Sequence, residues 1–187
     1  AMALTEEICN LLKESGAELV GIGTMKNVQQ CVYPVGIAVA VSLPVNIIRD
    51  LQNAPTKEYY EMYYTLNNRL NRIVTLGAQF LRDNGYQACA QTTDVVKVNA
   101  DRVSAIPHKT VATRAGLGWI GKNCLLVTKE YGSAVRLSSL LTDAPLTVNQ
   151  PYDESRCGNC HVCVDACPAS ALKGTSWRLG VKRDTIV

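Results

Sequence analysis

The sequence predicts a domain of mixed helices and strands, followed from about residue 150 by a small cysteine-rich module. Apolar residues recur at helical spacing in some segments, and short apolar, β-branched runs lie between them. Four of the eight cysteines crowd into one short run, Cys157 to Cys167. A chain of 187 residues, 47% of them hydrophobic, is long enough to bury one core of ordinary size.

The N-terminal part is predicted to form a helix and two strands. Apolar residues repeat every three or four positions in residues 4–15, and Gly16 follows where a left-handed C-cap suits glycine, so this segment is expected to be a helix. A strand is expected in the next segment, 17–23. Residues 35–43 are apolar throughout and rich in β-branched side chains, which predicts a strand that is covered on both faces and central in its sheet.

The longest helix is predicted over residues 57–84, where apolar side chains recur at helical spacing and Asn84-Gly85 supplies a stop. A strand is expected over 86–91. Pro107 suits the first position of a further helix, because its missing N–H costs nothing there, and this helix is expected to run to about Ala115.

The last predicted elements of the domain are strands over 123–128 and 134–141, on either side of a turn at Tyr131-Gly132. The polar, proline-containing segment 143–155 resembles a linker. We therefore expect one domain over 1–150 and a separate module over 151–187.

The net charge and the N-terminal sequence restrict the partners and the cellular location that we expect for this protein. A net charge of +3 is too small to predict nucleic-acid binding from long-range electrostatics. The longest apolar run is too short for a membrane span, and the N-terminus has no signal-peptide pattern, so we expect a cytoplasmic protein without a membrane partner. The basic residues near the C-terminus form either a nucleic-acid footprint or a solvated face: Lys173, Arg178, Lys182 and Arg183.

The cysteine run has the spacing C-x2-C-x2-C-x3-C-P, typical of a ferredoxin loop that holds a [4Fe–4S] cluster. Zinc is the alternative, but zinc sites usually use two C-x2-C pairs separated by a longer spacer. The predicted cluster ligands are Cys157, Cys160, Cys163 and Cys167. The scattered cysteines are expected to be buried free thiols: Cys9, Cys31, Cys89 and Cys124.

The fourth ligand of the run has two possible roles. In two-cluster ferredoxins the last cysteine of such a run binds the other cluster, and no second run follows in this sequence. Either Cys167 completes the same cluster, or a second run lies beyond Val187. The ending VKRDTIV offers no stop signal and favours a module that continues.

The segment Gly116-Leu117-Gly118-Trp119-Ile120-Gly121 matches the dinucleotide-binding pattern G-x-G-x-x-G. That loop must follow a strand and begin a helix, whereas here a predicted helix precedes the glycines and a predicted strand follows them. Two interpretations remain. The glycines form a floor for a flat ligand, or they form a tight helix-to-strand connection in which Trp119 caps the core.

The segment PHKTVATRAGLGWIGKNCLLVTKEYGSAVRLSSLLTDAPL, with the later CGNCHVCVDACPASALKG, strongly resembles the epoxyqueuosine reductase family and its short iron–sulfur relatives. The resemblance implies an α+β, nitroreductase-like, cobalamin-binding domain of sheet and helices with a small ferredoxin-like module beside it. It also implies that electrons pass from the [4Fe–4S] cluster to cobalt and then reduce a modified tRNA base, the cofactor supplying this chemistry.

The resemblance also implies roles for individual residues. Asp101 is the nearest match to the family's proton-donating aspartate, although an aspartate before a helix is often a cap or turn residue. His108 and Lys109 would contact cofactor phosphate or side-chain amides, or form a solvated helix start. The other residues implied to lie along the corrinoid are Arg114, Gly116, Gly118, Trp119, Gly121, Lys122 and Asn123.

Three hypotheses follow for function. The leading one is an iron–sulfur oxidoreductase that uses cobalamin on an unknown substrate, a small molecule or a modified nucleoside. The second is a non-catalytic electron carrier or corrinoid-handling protein, and the third is a flavin enzyme that binds FMN. A redox partner protein is expected. Because the helical repeats and second cysteine run of the tRNA enzymes do not appear in the sequence, tRNA is predicted to be a doubtful partner.

Overall fold

The computed structural model describes residues 2–52, 54–99 and 104–187. Four strands form an antiparallel sheet in the order β1-β2-β6-β3, and β4 and β5 form a separate antiparallel pair. The elements are α1 (Met2–Glu14), β1 (Leu19–Thr24), β2 (Val35–Ser42), α2 (Val45–Arg49), α3 (Lys57–Asp83), β3 (Ala88–Ala90), α4 (His108–Arg114), β4 (Gly118–Ile120), β5 (Leu126–Thr128), β6 (Val135–Thr142) and α5 (Val162–Asp165).

The four-stranded sheet separates two hydrophobic cores. Along β2, Ile37 and Val39 face α1 and α3, whereas Ala38, between them, packs in the core that contains α4. This alternation follows from the two-residue period of a strand. Strand β2 is buried along nearly its whole length, as expected for an apolar central strand.

Helix α3 covers one face of the sheet. Thr56 is its N-cap, and its side-chain oxygen accepts a hydrogen bond from the Tyr59 backbone N–H at 3.1 Å. Its buried stripe includes Leu70, Ile73 and Leu81 at helical spacing. These apolar side chains hold the helix against the sheet through burial of their surface.

Helix α4 approaches the other face closely, because β1 has glycines where the two elements meet. A Cβ on Gly23 would overlap the backbone of Arg114, and one on Gly21 would overlap the carbonyl of Ala115. Because these two residues have no side chain, the end of α4 can lie directly against the sheet. This contact positions the segment that follows α4, which contains the glycine motif.

Every helix and strand predicted for the first 141 residues is present in the structure, with boundaries that differ by a few residues. Strand β4 and helix α2 were not predicted. The predicted linker is tied to the domain: Asn149 exchanges hydrogen bonds with Ile22, through its N–H to the Ile22 carbonyl and through Oδ1 from the Ile22 N–H, both 2.7 Å. A boundary at residue 150 stays a prediction.

The mixed α/β architecture agrees with the predicted class, and the likeness to nitroreductases stays a prediction. Across residues 2–52, 54–99 and 104–187, no helix combines the length and apolar character needed to cross a bilayer.

Candidate functional site

The four clustered cysteines lie in an irregular loop interrupted by the single turn of α5. Gly158 adopts a left-handed backbone conformation (φ 52°), which turns the chain directly after the first cysteine. Cys160 is exposed, whereas Cys157, Cys163 and Cys167 are half-buried, and all four are free thiols. The loop is therefore short, turned tightly and open to solvent on one side.

The Cys157 thiol is surrounded by hydrogen-bond donors. Burial opposes its ionisation, but the Ser155 hydroxyl, the backbone N–H of Lys122, the indole of Trp119 and the charge of Lys122 together hold its pKa below the usual value. Donors and a cation near a thiol favour the thiolate, the form that binds metals. The first predicted ligand thus has an environment suited to metal binding.

The Cys167 thiol is stabilised in its ionised form by backbone alone. Hydrogen bonds from the N–H groups of Ala171 and Ala169, and then those of Leu172 and Ser170, lower its pKa. Consecutive N–H groups that point at one sulfur form an anion-binding nest. Ser170 has a left-handed conformation (φ 47°) that belongs to this turn.

These donors fit an iron–sulfur cluster, because its sulfur atoms carry negative charge and accept N–H hydrogen bonds. The four thiols of this loop are the ligand set that the sequence predicts, and their role stays a prediction. Within the described part of the chain, no three His, Cys, Asp or Glu side chains converge on one metal position. Of the four scattered cysteines, only Cys124 is buried. Cys9, Cys31 and Cys89 are partly exposed, so the prediction of buried thiols was wrong for these three.

The glycine motif forms the helix-to-hairpin connection between α4 and β5. Gly118 opens β4 and pairs with Thr128, and a Cβ on Gly118 would overlap the Val127 carbonyl oxygen. A Cβ on Gly116 would lie 2.6 Å from the Gln150 carbonyl oxygen. At both glycines, the backbone of another segment occupies the space that a side chain would need. Strand β4 also follows α4 directly, which is the wrong order for a dinucleotide loop.

Trp119 and Lys122 of the hairpin contact the cysteine loop. The buried indole Nε1 of Trp119 lies against the Cys157 sulfur but completes no hydrogen bond of ordinary geometry to a described residue, and its ring packs against Tyr152 with centroids 5.8 Å apart. Lys122 is buried as well, at 3% exposure of the residue. It donates hydrogen bonds to the carbonyl oxygens of Gly158 (2.9 Å) and Cys160 (3.0 Å).

The turn of the hairpin is shaped by its own side chains. Asn123 Oδ1 accepts a hydrogen bond from the Leu125 N–H at 3.1 Å, and a Cβ on Gly121 would lie 2.6 Å from that oxygen. Cys124 has a left-handed backbone (φ 62°), which is uncommon for a residue with a side chain. The predicted cofactor roles of Gly121 and Asn123 stay predictions.

A cavity of about 640 Å³ lies beside the hairpin and α4. Its wall contains Ile120 and Cys124 from the hairpin and Lys109, Thr113 and Arg114 from α4. Neighbours in the strand point to opposite faces, so Ile120 lines the cavity while Trp119 faces the cysteine loop. Further wall residues come from the C-terminal segment: Trp177, Leu179, Lys182, Arg183 and Ile186.

Two cationic side chains of α4 are held by hydrogen bonds at this cavity. Lys109 Nζ donates to the Cys124 carbonyl oxygen at 2.9 Å and lies 3.7 Å from its sulfur. Arg114 pairs with Asp153 and the Tyr152 carbonyl through one terminal nitrogen, which leaves its buried Nε without a partner among the described residues. Both side chains line the cavity, and their cofactor role stays a prediction.

His108 does not line this cavity. Its Nδ1 lies 2.9 Å from the hydroxyl of Ser139, a fully buried residue on β6. Burial, and secondarily the charge of Arg136, lowers the pKa of His108 to about 4. The neutral imidazole thus joins the start of α4 to the sheet, and it is not part of a solvated helix start.

The proposed acid, Asp101, lies outside the described residues. Sequence reasoning missed the contact between the glycine motif and the cysteine loop, because 36 residues separate Lys122 from Gly158. It also missed Ser155 and Tyr152, which were assigned to the linker. The only signal for them was their position directly before the first cysteine.

A 4Fe-4S binding domain model matches residues 151–173. An epoxyqueuosine reductase of Lactococcus garvieae (strain Lg2) is 37% identical over 123 residues, which are 66% of this chain and 31% of that protein. The chain thus spans about a third of that relative's length.

Solved structures share the fold. An epoxyqueuosine reductase with an epoxyqueuosine-modified tRNA-Tyr stem loop superposes with a TM-score of 0.62 at 22% identity, over 90% of this chain and 52% of the other. A reductive dehalogenase whose structure suggests a mechanism for B12-dependent dehalogenation gives a TM-score of 0.69 at 19% identity, over 89% of this chain and 25% of the other.

The prediction that tRNA is a doubtful partner was wrong. It rested on the small net charge and on segments that the sequence does not contain. The reductase of the same fold that is solved with a modified tRNA stem loop overturns it.

Proposed function

Because the chain belongs to the epoxyqueuosine reductase family, we propose that it is an iron–sulfur reductase that delivers electrons from a [4Fe–4S] cluster to a cofactor in the neighbouring cavity. One observation carries this proposal: a single hairpin contacts both places. Trp119 and Lys122 face the cysteine loop, while Ile120 and Cys124 line the cavity. The proposed cluster ligands are Cys157, Cys160, Cys163 and Cys167.

The proposed cofactor is cobalamin, and FMN is the alternative. A cavity of about 640 Å³ is within the range of small-molecule and cofactor sites, roughly 300–1,000 Å³. A whole corrinoid is larger than a drug-sized ligand, so part of it would lie outside the cavity. Both cofactors carry a phosphate, which Lys109, Arg114 and Lys182 could bind by charge and hydrogen bonds. The B12-dependent mechanism suggested for the dehalogenase favours cobalamin.

A bound corrinoid would supply a metal centre that accepts single electrons and passes them to the substrate. The chain's own residues would do the rest. Lys109 and Arg114 would orient the cofactor, and Ile120 and Trp177 would exclude water from its apolar part. Asp101 is proposed as the proton donor on the strength of the family resemblance alone.

The proposed substrate is a modified nucleoside in tRNA. The names of the relatives and the stem-loop complex of a related reductase support this choice. We propose that residues 1–150 form the cofactor domain, with a nitroreductase-like fold, and that residues 151–187 form the iron–sulfur module. The match of the 4Fe-4S domain model from residue 151 supports that boundary.

The cluster is tested by anaerobic reconstitution with iron and sulfide. Cys163→Ser is expected to lose most of the iron, because a serine hydroxyl is a poor ligand for a cluster that uses thiolates. Cys89→Ser, which changes a half-buried thiol on β3, is the matched control and should retain the wild-type iron content. The readouts are iron and sulfide per chain and the absorption spectrum. Equal iron in the two variants would refute the ligand assignment.

The cofactor is tested by titrating the reconstituted chain with cobalamin and, separately, with FMN. Lys109→Met is expected to weaken binding of the preferred cofactor by about tenfold or more, since a hydrogen bond to a charged group contributes about 1.5–3 kcal/mol. Lys129→Met, an exposed lysine after β5, is the control. Binding of FMN alone would favour the flavin alternative. If the cluster-loaded chain bound neither cofactor, the result would favour an electron carrier.

A further inference from the structure

Lys122 is a buried lysine that has no carboxylate partner among the described residues. The residue is 3% exposed, and no described Asp or Glu oxygen lies within 4 Å of its ammonium. Its hydrogen-bond partners are the carbonyl oxygens of Gly158 and Cys160, with His161 Nε2 at 3.5 Å. All of these belong to the cysteine loop.

A buried charge is costly unless an opposite charge compensates it. Two carbonyl dipoles satisfy hydrogen bonds of the ammonium, but they leave its charge unneutralised. Lysine is rarely buried to this extent without an ionic partner. The loop that Lys122 contacts carries four thiols, which become a strongly anionic group when they bind iron and sulfide. That group would be a counter-ion for Lys122, which the described residues do not supply.

Trp119 gives a second observation on the same side of the hairpin. Its indole Nε1 is buried and unpartnered among the described residues, although buried indole N–H groups usually find a partner. The indole and the backbone N–H of Lys122 both lie against the Cys157 sulfur. Trp119 in β4 and Lys122 in the turn after it thus direct donors and a positive charge toward the same side of the loop.

We propose that Lys122 and Trp119 are positioning residues of the iron–sulfur centre: Lys122 holds the loop through its carbonyls, and both residues raise the reduction potential of the cluster. This inference rests on the proposed function, since it requires that the cysteines hold a cluster. Reduction adds one negative charge to the centre. A nearby cation and an N–H donor to sulfur stabilise the reduced form more than the oxidised form, and the potential rises.

The test measures the midpoint potential of the reconstituted chain by an EPR-monitored redox titration, with iron content measured in parallel. Lys122→Met keeps the aliphatic length and removes the charge, and Trp119→Phe keeps a ring and removes the N–H. Each is expected to shift the reduction equilibrium at least tenfold toward the oxidised cluster, a fall of about 59 mV or more for a one-electron couple. Lys129→Met controls for a general loss of charge and should shift the potential far less.

Different results would refute the proposed function and this inference. A wild-type chain without a cluster would refute the proposed function. A wild-type cluster whose potential changes no more in Lys122→Met and Trp119→Phe than in Lys129→Met would refute this inference alone. If Lys122→Met folds but loses its iron, the result supports the role of Lys122 in holding the loop. The midpoint potential of Trp119→Phe then shows whether the hairpin raises the potential of the cluster. The same measurement applies if Lys122→Met fails to fold.

Discussion

Gly118→Ala is expected to lower the free energy of unfolding by about 3 kcal/mol, at the upper end of the usual cost of overpacking. The new Cβ would overlap the carbonyl oxygen of Val127, and that oxygen belongs to the paired backbone of β5. Backbone in a paired strand cannot move aside as a flexible side chain can. Because Trp119 follows directly, the substitution should also lower the iron content of the reconstituted chain.

The control for Gly118→Ala is Gly132→Ala, in the turn that follows β5. Gly132 has a left-handed backbone (φ 57°), but a Cβ there would meet open space. Gly132→Ala should therefore lower the free energy of unfolding only by the conformational penalty of about 1–2 kcal/mol, and it should leave the iron content unchanged. Urea denaturation monitored by circular dichroism measures both. A Gly118→Ala chain as stable as wild type would show that the hairpin does not require glycine here.

His108 is expected to make the chain less stable as the pH falls from about 6.5 toward 4. Its pKa in the folded chain is about 4, against an ordinary value of 6.5, so between these pH values the unfolded chain binds more protons. The stabilising contribution of the neutral imidazole is fully present above pH 6.5 and is lost as the pH falls toward 4. At 1.36 kcal/mol per pKa unit, the loss amounts to about 3 kcal/mol.

His108→Gln removes the titrating group and can keep a hydrogen bond to Ser139. The free energy of unfolding, measured by urea denaturation at steps between pH 7 and pH 4, should fall less steeply in this variant than in the wild type. Carboxylates also titrate in this range, but they are the same in both chains, so the difference between the two slopes isolates His108. Parallel slopes would mean that His108 is protonated in the folded chain well above pH 4.

Local sequence patterns were sufficient for most of the secondary structure. The apolar stripe of α3 predicts a helix, because only a helix places residues at this spacing on one buried face. The continuous apolar run of β2 predicts a strand that is buried on both faces. Strand β4 could not be predicted in this way. It is three residues long and lies in a glycine-rich segment, and its conformation depends on pairing with β5.

Part of the candidate site could be predicted from the sequence, and part depends on the tertiary structure. The spacing of the four cysteines by itself indicated the cluster motif, because C-x2-C-x2-C-x3-C-P is typical of a ferredoxin loop. His108 was assigned to the cofactor from its neighbours in sequence, yet the tertiary structure joins it to Ser139 on β6. The burial that lowers its pKa comes from packing of α4 on the sheet.

By itself, the sequence determined the order of most helices and strands, the iron–sulfur motif and the resemblance to epoxyqueuosine reductases. Only the tertiary structure decided how the glycine motif packs, because its contacts join residues far apart in the chain. The glycines admit the backbone of β5 and of the segment around Gln150, and the hairpin so formed places Lys122 against the cysteine loop. Local propensity contains no information on which groups a buried lysine will contact, since that depends on which loop the fold brings beside it.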